Sequence, residues 1–377
     1  SAAVPLSDLR VIDVSTVIAG PGCARYLADF GADVIKVERP DRGDTTRSMG
    51  WRDPRDDVTL LWKLCGRGKR TVALDLKADD DLTRMRQLCD SADVLVENFR
   101  PGTLERLGLG PEVLLERNPK LVICRVSGFG QDGPYSRRPG FATLAEAMSG
   151  FAAINGETDG APLLPPIALT DEVAALVAAF AVMVAVHDVG RSGQGQVVDV
   201  NLLESLFQLM GPLVSLYGLT GRTQPRLGSG IPYSVPRGTY RAADGVWSAV
   251  SPSAESVAAR VMDMLGVGDD ERFATFEGRV DHRDELDRLV DEWIGARPAA
   301  EVLAAFEAAE AAAAPVYDMA DASADPHLRA REAIVEVDGT PMQGLVARLS
   351  RTPGRIRWTG RPLGADTDDV LGELGHH

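Results

Sequence analysis

Residues 9–37 read LRVIDVSTVIAGPGCARYLADFGADVIKV, and the fold class follows from this stretch. Leu9–Val14 is a short apolar run, the pattern of a strand buried on both faces. Gly20-Pro21-Gly22 breaks it, Cys23–Phe30 carries a helical pattern, and Asp33–Val37 is the next strand. Strand, helix and strand make a βαβ unit. The theme repeats outward, with strands at Thr71–Leu76, Asp93–Val96 and Leu121–Val126 and helices at Asp80–Cys89 and Pro111–Arg117. Right-handed crossovers then predict an α/β fold with a doubly wound, Rossmann-like parallel sheet.

Further along, Thr170-Asp171-Glu172 opens a long apolar helix that ends near Gly190, with Thr170 expected as its N-cap. Gln196–Val200 reads as a strand and Asn201–Leu219 as an apolar core helix. Residues 221–238, rich in Gly, Pro, Arg and Ser, read as a linker or loop. Then come a strand at Trp247–Ser251 and helices at Glu255–Leu265, Arg283–Gly295 and Ala299–Ala314, the last stopped by Pro315. Ile334–Val337 and Arg355–Trp358 read as short strands. The expected organisation is a large Rossmann-like domain over 1–220, a smaller α/β domain over 225–330, and a return to the large domain over 331–377.

Composition narrows the function. Forty Lys and Arg against 55 Asp and Glu give a net charge of −15 in 377 residues, which argues against a broad nucleic-acid surface. A local cationic pocket for a small anion remains compatible with it. The apolar run Val173–Val186 is shorter than a bilayer span, and no leader pattern opens the chain, so neither a membrane partner nor secretion is expected. Cys23, Cys65, Cys89 and Cys124 show no CxxC spacing, and His187, His282 and His327 lie far apart. These patterns suggest reduced thiols in a cytoplasmic protein and speak against a metal site or a histidine triad.

Several residues invite chemistry. Gly20-Pro21-Gly22 resembles the start of a dinucleotide fingerprint, but Arg25 stands where GxGxxG needs its third glycine. A tight strand-to-helix turn explains it better, and an NAD-dependent dehydrogenase is disfavoured. Gly66-Arg67-Gly68-Lys69-Arg70 is either a phosphate-holding loop or a solvated one. Asn98-Phe99-Arg100-Pro101-Gly102 follows a strand, and ligands of doubly wound sheets bind beyond strand carboxyl ends. Asp171 is either an acidic first-turn residue or a nucleophile that a helix N-terminus keeps ionised.

Taken together, these segments resemble the family III CoA-transferases, the group of formyl-CoA and carnitine CoA-transferases and α-methylacyl-CoA racemases. The resemblance rests on Leu9–Asp13 with Ala19-Gly20-Pro21, Gly31–Glu38, Leu74–Lys77, Val96–Gly102, Arg138–Phe141, Met148–Gly150, Gly193–Val200, Phe276–Arg279 and Asp325–Leu328, all in family order. It implies a CoA-transferase that moves CoA from an acyl-CoA to a carboxylic acid. It also implies a homodimer of interlocked rings, with no cofactor or metal and with coenzyme A as substrate.

By the same resemblance Asp171 is the nucleophile. Arg39, Leu74, Lys77, Asn98, Phe99 and Arg106 fall on contacts to the nucleotide of CoA, and Ile18 and Ala19 on a backbone contact near the pantetheine. The physics agrees: Arg offers planar, permanent donors to phosphate, and Phe99 can stack on adenine.

The chain also departs from the family. Phe141 and Ala142 follow Gly140 where the racemase branch carries a His-Asp pair, and Ala142 replaces a glutamate of the formyl-CoA branch. A run of four glycines is represented by Leu227-Gly228-Ser229-Gly230, and Glu172 follows Asp171 where glycine is common. A racemase or epimerase is therefore the runner-up, and a non-catalytic acyl-CoA binding protein the third reading.

Overall fold

The structure, a computed structural model, describes residues 4–252 and 254–376. The chain divides into two compact units, one of residues 1–149, 165–211 and 326–377 and the other of 150–164 and 212–325. Residues 150–164 and 212–220, expected in the first domain, thus go with the second, and the return begins at 326 rather than 331.

The first unit is built on a six-stranded parallel sheet in the order β3-β2-β1-β4-β5-β6. Its strands are β1 (Arg10–Asp13), β2 (Asp33–Glu38), β3 (Arg70–Ala73), β4 (Val94–Glu97), β5 (Val122–Ser127) and β6 (Val197–Asn201). Every pairing is parallel. The strand order reverses between β1 and β4, so the loops after these two strands diverge there and leave a crevice.

Alternation along the strands supplies both faces. Val11, Val34, Val94, Val122 and Cys124 pack under the helices Ala19–Asp29 and Leu169–Ser192. Ile12, Ile35, Val72, Leu95 and Ile123 pack on the other face with Met85, Leu88 and Leu114. The helix Ala19–Asp29 begins four residues earlier than Cys23 and absorbs Gly20-Pro21-Gly22 into its first turn. The reason for Gly22 is packing: a Cβ there would lie 2.8 Å from the Ala175 Cβ on the long helix. The basic stretch Arg67–Arg70 is no phosphate loop. Arg67 and Lys69 are fully buried; Arg67 pairs with Asp29 at 2.6 Å and Lys69 with Asp13 at 2.8 Å.

Residues 326–376 return to this unit through the hairpin of β10 (Ile334–Val337) and β11 (Thr340–Gln343). The expected strand at Arg355–Trp358 is irregular, although Gly68 donates to the Trp358 carbonyl and the Trp358 indole to the Lys69 carbonyl.

The second unit has an antiparallel sheet β7-β8-β9 of Gly238–Arg241, Trp247–Val250 and Ala313–Pro315. Helices Glu255–Met264, Arg283–Gly295 and Ala299–Ala308 cover it around Val261, Phe273, Leu286, Ile294 and Phe306. The last of these helices stops at Ala308, before the expected Ala314, because pairing with β8 outweighs the helix propensity of the alanines. The helix expected over Asn201–Leu219 is also broken. It runs Leu202–Phe207, turns at Gly211 with φ +57°, and resumes as Leu213–Thr220, which has no buried residue.

Candidate active site

Two cavities open at the carboxyl ends of β1 to β5. The first, of about 590 Å³, is lined by Arg39, Leu74, Lys77 and Phe99, four of the residues singled out in the sequence, together with Thr16 and Thr103. The second, of about 410 Å³, is lined by Ile18, Ala19, Asn98 and Asp171, with Phe141, Ala142 and again Thr16. Thr16 therefore borders both. The two cavities thus have this residue in common.

Arg39 is exposed and held by Asp41, whose carboxylate accepts from Nε at 3.1 Å and Nη2 at 2.8 Å. That pairing engages two of the five N–H donors of the guanidinium. Lys77 is exposed at the rim. Arg106 does not line the first cavity; its guanidinium donates to Oγ1 of the lining residue Thr103 at 2.9 Å. Phe99 is half-buried, and its N–H donates to Oε2 of Glu97, which is itself paired with Arg125 at 2.7 Å. Asn98 spends its amide on the backbone: Oδ1 accepts from Thr16 N at 2.9 Å and Nδ2 donates to Thr16 O at 2.6 Å. It thus ties the β1 loop to the β4 loop across the crevice, and one further N–H and one further lone pair of its amide are left by these two bonds. Ile18 and Ala19 line the second cavity with little of their side chains exposed.

Asp171 is in the first turn of the helix Leu169–Ser192, whose N-cap position is Ala168. Thr170 is not the cap. Its hydroxyl donates instead to Oε2 of buried Glu146 at 2.7 Å. The expectation that the helix N-terminus keeps Asp171 readily ionised is corrected. Burial, then the negative charges of Glu146 and Glu172, push its carboxyl up to about 6 from an ordinary 3.8. Among the described residues no hydrogen bond reaches this carboxylate to offset them. Glu172 turns away from the cavity: Oε2 accepts from the Tyr26 hydroxyl at 3.0 Å and lies 3.9 Å from Arg25.

The far wall comes from Gly128 and Gly140. A Cβ on Gly128 would lie 2.5 Å from the Gly140 Cα, so only glycine lets these two backbones meet. That contact sets Phe141 at the start of the helix Ala142–Met148, 69% exposed and facing the cavity of Asp171. Sequence reasoning missed Thr16, Val17 and Asp44. A β-branched pair just after a strand and an Asp after Gly43 were the available signals. No cluster of His, Cys, Asp and Glu suited to a metal occurs among the described residues.

Comparison with known proteins shows the family. The model of CoA-transferase family III matches residues 6–367. The chain is 39% identical to the succinyl-CoA–D-citramalate CoA-transferase of Chloroflexus aurantiacus, over 98% of this chain and 94% of that one. It is 35% identical to the succinate–glutarate CoA-transferase of Agrobacterium fabrum, over 98% and 96%. Among solved structures it resembles a CAIB/BAIF family protein from Brucella suis, with TM-score 0.87 and 30% identity over 98% and 99%.

Proposed function

The chain belongs to CoA-transferase family III and is a CoA-transferase, and from that premise we propose how it works and on what. The observation that carries the proposal is the pair of cavities sharing Thr16, with Asp171 in one and Arg39, Lys77 and Phe99 in the other.

The nucleotide of CoA occupies the larger cavity. Arg39 and Lys77 meet its phosphates, and Phe99 lies against adenine. Arg106 is within one residue contact of the rim through Thr103. The pantetheine arm passes Thr16 and the backbone of Ile18 and Ala19, and the thioester arrives at Asp171.

The carboxylate of Asp171 attacks the thioester carbonyl. The C–S bond breaks, giving an acyl-aspartyl anhydride and the CoA thiolate. The thiolate attacks the aspartyl carbonyl; the donor acid leaves as its carboxylate and an aspartyl-CoA thioester remains. The acceptor carboxylate attacks that thioester, forming a second anhydride and releasing the thiolate again. The thiolate then takes the acceptor's acyl carbon, and Asp171 is returned as a carboxylate. Every step balances without an oxidant or a metal, so no cofactor is proposed. Anchoring CoA at its distant nucleotide favours recapture of the thiolate over its loss.

Relatives named for succinyl-CoA make succinyl-CoA the first donor to test. Incubation with succinyl-CoA and a panel of dicarboxylic acids, read by mass spectrometry, should yield a new acyl-CoA. No transfer from any acyl-CoA to any carboxylate would contradict the proposal.

We also propose a homodimer. Leu176, Phe180 and Val184 form an apolar stripe on the helix Leu169–Ser192, Phe180 being 72% exposed. This helix is long and apolar enough to cross a membrane, which its apolar run of residues 173–186 did not suggest. Its other face packs on Ala19–Asp29, and a second copy of the chain accounts for the exposed one. Light scattering at the mass of one chain would contradict this.

A further inference from the structure

The turn between the two cavities has its backbone fixed by side chains. Ser15 N donates to Asp13 Oδ1 at 3.0 Å, and Ser15 O accepts from Lys36 Nζ at 2.5 Å. Thr16 N and O are both taken by Asn98. Val17 N donates to Asp44 Oδ1 at 3.2 Å. Consecutive donors and acceptors are thus held individually, with no sheet ladder to share the task.

Val17 sits at φ +71°. A β-branched residue in the left-handed region is a genuine outlier, because its Cβ substituents crowd the backbone. Such a conformation persists only where its surroundings over-determine it. The surroundings here centre on Asp44. Its carboxylate is buried, accepts from Thr46 N and Oγ1 at 2.9 Å each, and takes a 2.7 Å bond from fully buried Lys36. Thr16 borders both cavities, and Val17, Ile18 and Ala19 line the one that holds Asp171. Relaxing Val17 would turn the backbone of this run and move the edge the thioester has to cross.

We infer that Asp44, fixed by Lys36, is a positioning residue for CoA transfer: by holding Val17 left-handed it sets the thioester against Asp171. The inference rests on the CoA course proposed above. Its failure and that of the proposed function remain distinguishable, because one readout below needs no activity.

Glycine accepts φ +71° without the crowding that valine suffers. Asp44→Asn, Val17→Gly and the double variant should therefore be compared with wild type. Asp44→Asn is expected to lower kcat roughly ten- to a hundredfold, with KM for the acyl-CoA changed by less than about threefold. Val17→Gly alone is the reference for the cycle, and against it the double variant should show most of the kcat lost by Asp44→Asn regained. Hydrogen exchange at the Thr16 and Val17 amides should quicken in Asp44→Asn whether or not a substrate is known. If Asp44→Asn does not fold, recovery of folded protein in the double variant supports the inference, and no recovery overturns it. Unchanged exchange and kcat in Asp44→Asn would overturn it, as would a double variant no better than the single.

Discussion

The Thr170 hydroxyl donates a 2.7 Å hydrogen bond to Oε2 of Glu146, a carboxylate only 5% exposed, and the residue after Thr170 is Asp171. The contact places a buried negative charge close behind the proposed nucleophile. After burial itself, that charge is the largest influence raising the Asp171 carboxyl to about 6. Transfer needs the carboxylate, so kcat/KM should be level above about 7 and fall as pH drops through about 6. In Glu146→Gln the limb should move to lower pH, because a neighbouring negative charge is gone. A pH–rate profile of both proteins checks this. A wild-type limb near 4, or one unmoved in the variant, would contradict it.

The same shift has a consequence for stability. The folded value of Asp171, about 6, lies above the ordinary 3.8. A carboxyl raised in this way opposes folding at pH above its folded value, and the penalty disappears as pH falls from about 6 towards 3.8. Asp171→Asn should therefore be more stable than wild type at about pH 8, by on the order of 1 kcal/mol after allowing for partial solvent access. The gain should shrink at about pH 4. Thermal melts at both pH values decide it, and a destabilised variant at the higher pH would count against the burial described.

Arg39 and Arg106 bear on the nucleotide end alone. Alanine at either should weaken CoA by roughly 1–3 kcal/mol, the scale of a hydrogen bond to a charged group. Titration calorimetry should show a smaller loss for a pantetheine thioester without the nucleotide. Equal losses for both ligands would remove the phosphate role. Arg39 should show the larger effect, since it lines the cavity and Arg106 reaches it only through Thr103.

Phe141 and Ala142 both line the cavity of Asp171, and neither side chain can take a proton from a carbon. A chiral 2-methylacyl-CoA incubated in deuterated water should keep its α-proton. Exchange on the timescale of turnover, seen by NMR, would favour the racemase reading.

The sheet was legible because residues 9–37 spell one whole βαβ unit, with Val11 and Ile12 dividing between its two faces. Readings failed where the deciding partner is distant in the chain. Gly22 was read as part of a tight strand-to-helix turn, yet it lies inside the helix and Ala175 is the reason for it. Arg67 and Lys69 were read in a loop that either holds phosphate or is solvated, yet Asp29 and Asp13 draw them inside. The alanines up to Ala314 looked helical until β8 claimed Ala313–Pro315. The site was legible residue by residue only through family resemblance. Spacing alone left Asp171 between a helix-end carboxylate and a nucleophile. Its elevated carboxyl could not be foreseen, because Glu146 approaches it only through the packing of two helices.

The central claim is that Asp171 carries the transferred groups covalently. Wild-type protein mixed with an acyl-CoA donor, quenched and digested, should show a CoA or acyl adduct on the peptide containing Asp171. Hydroxylamine should convert that residue to its hydroxamate, and Asp171→Asn should show neither adduct nor transfer while still binding CoA. An adduct on another residue, or transfer that survives in Asp171→Asn, would contradict the account.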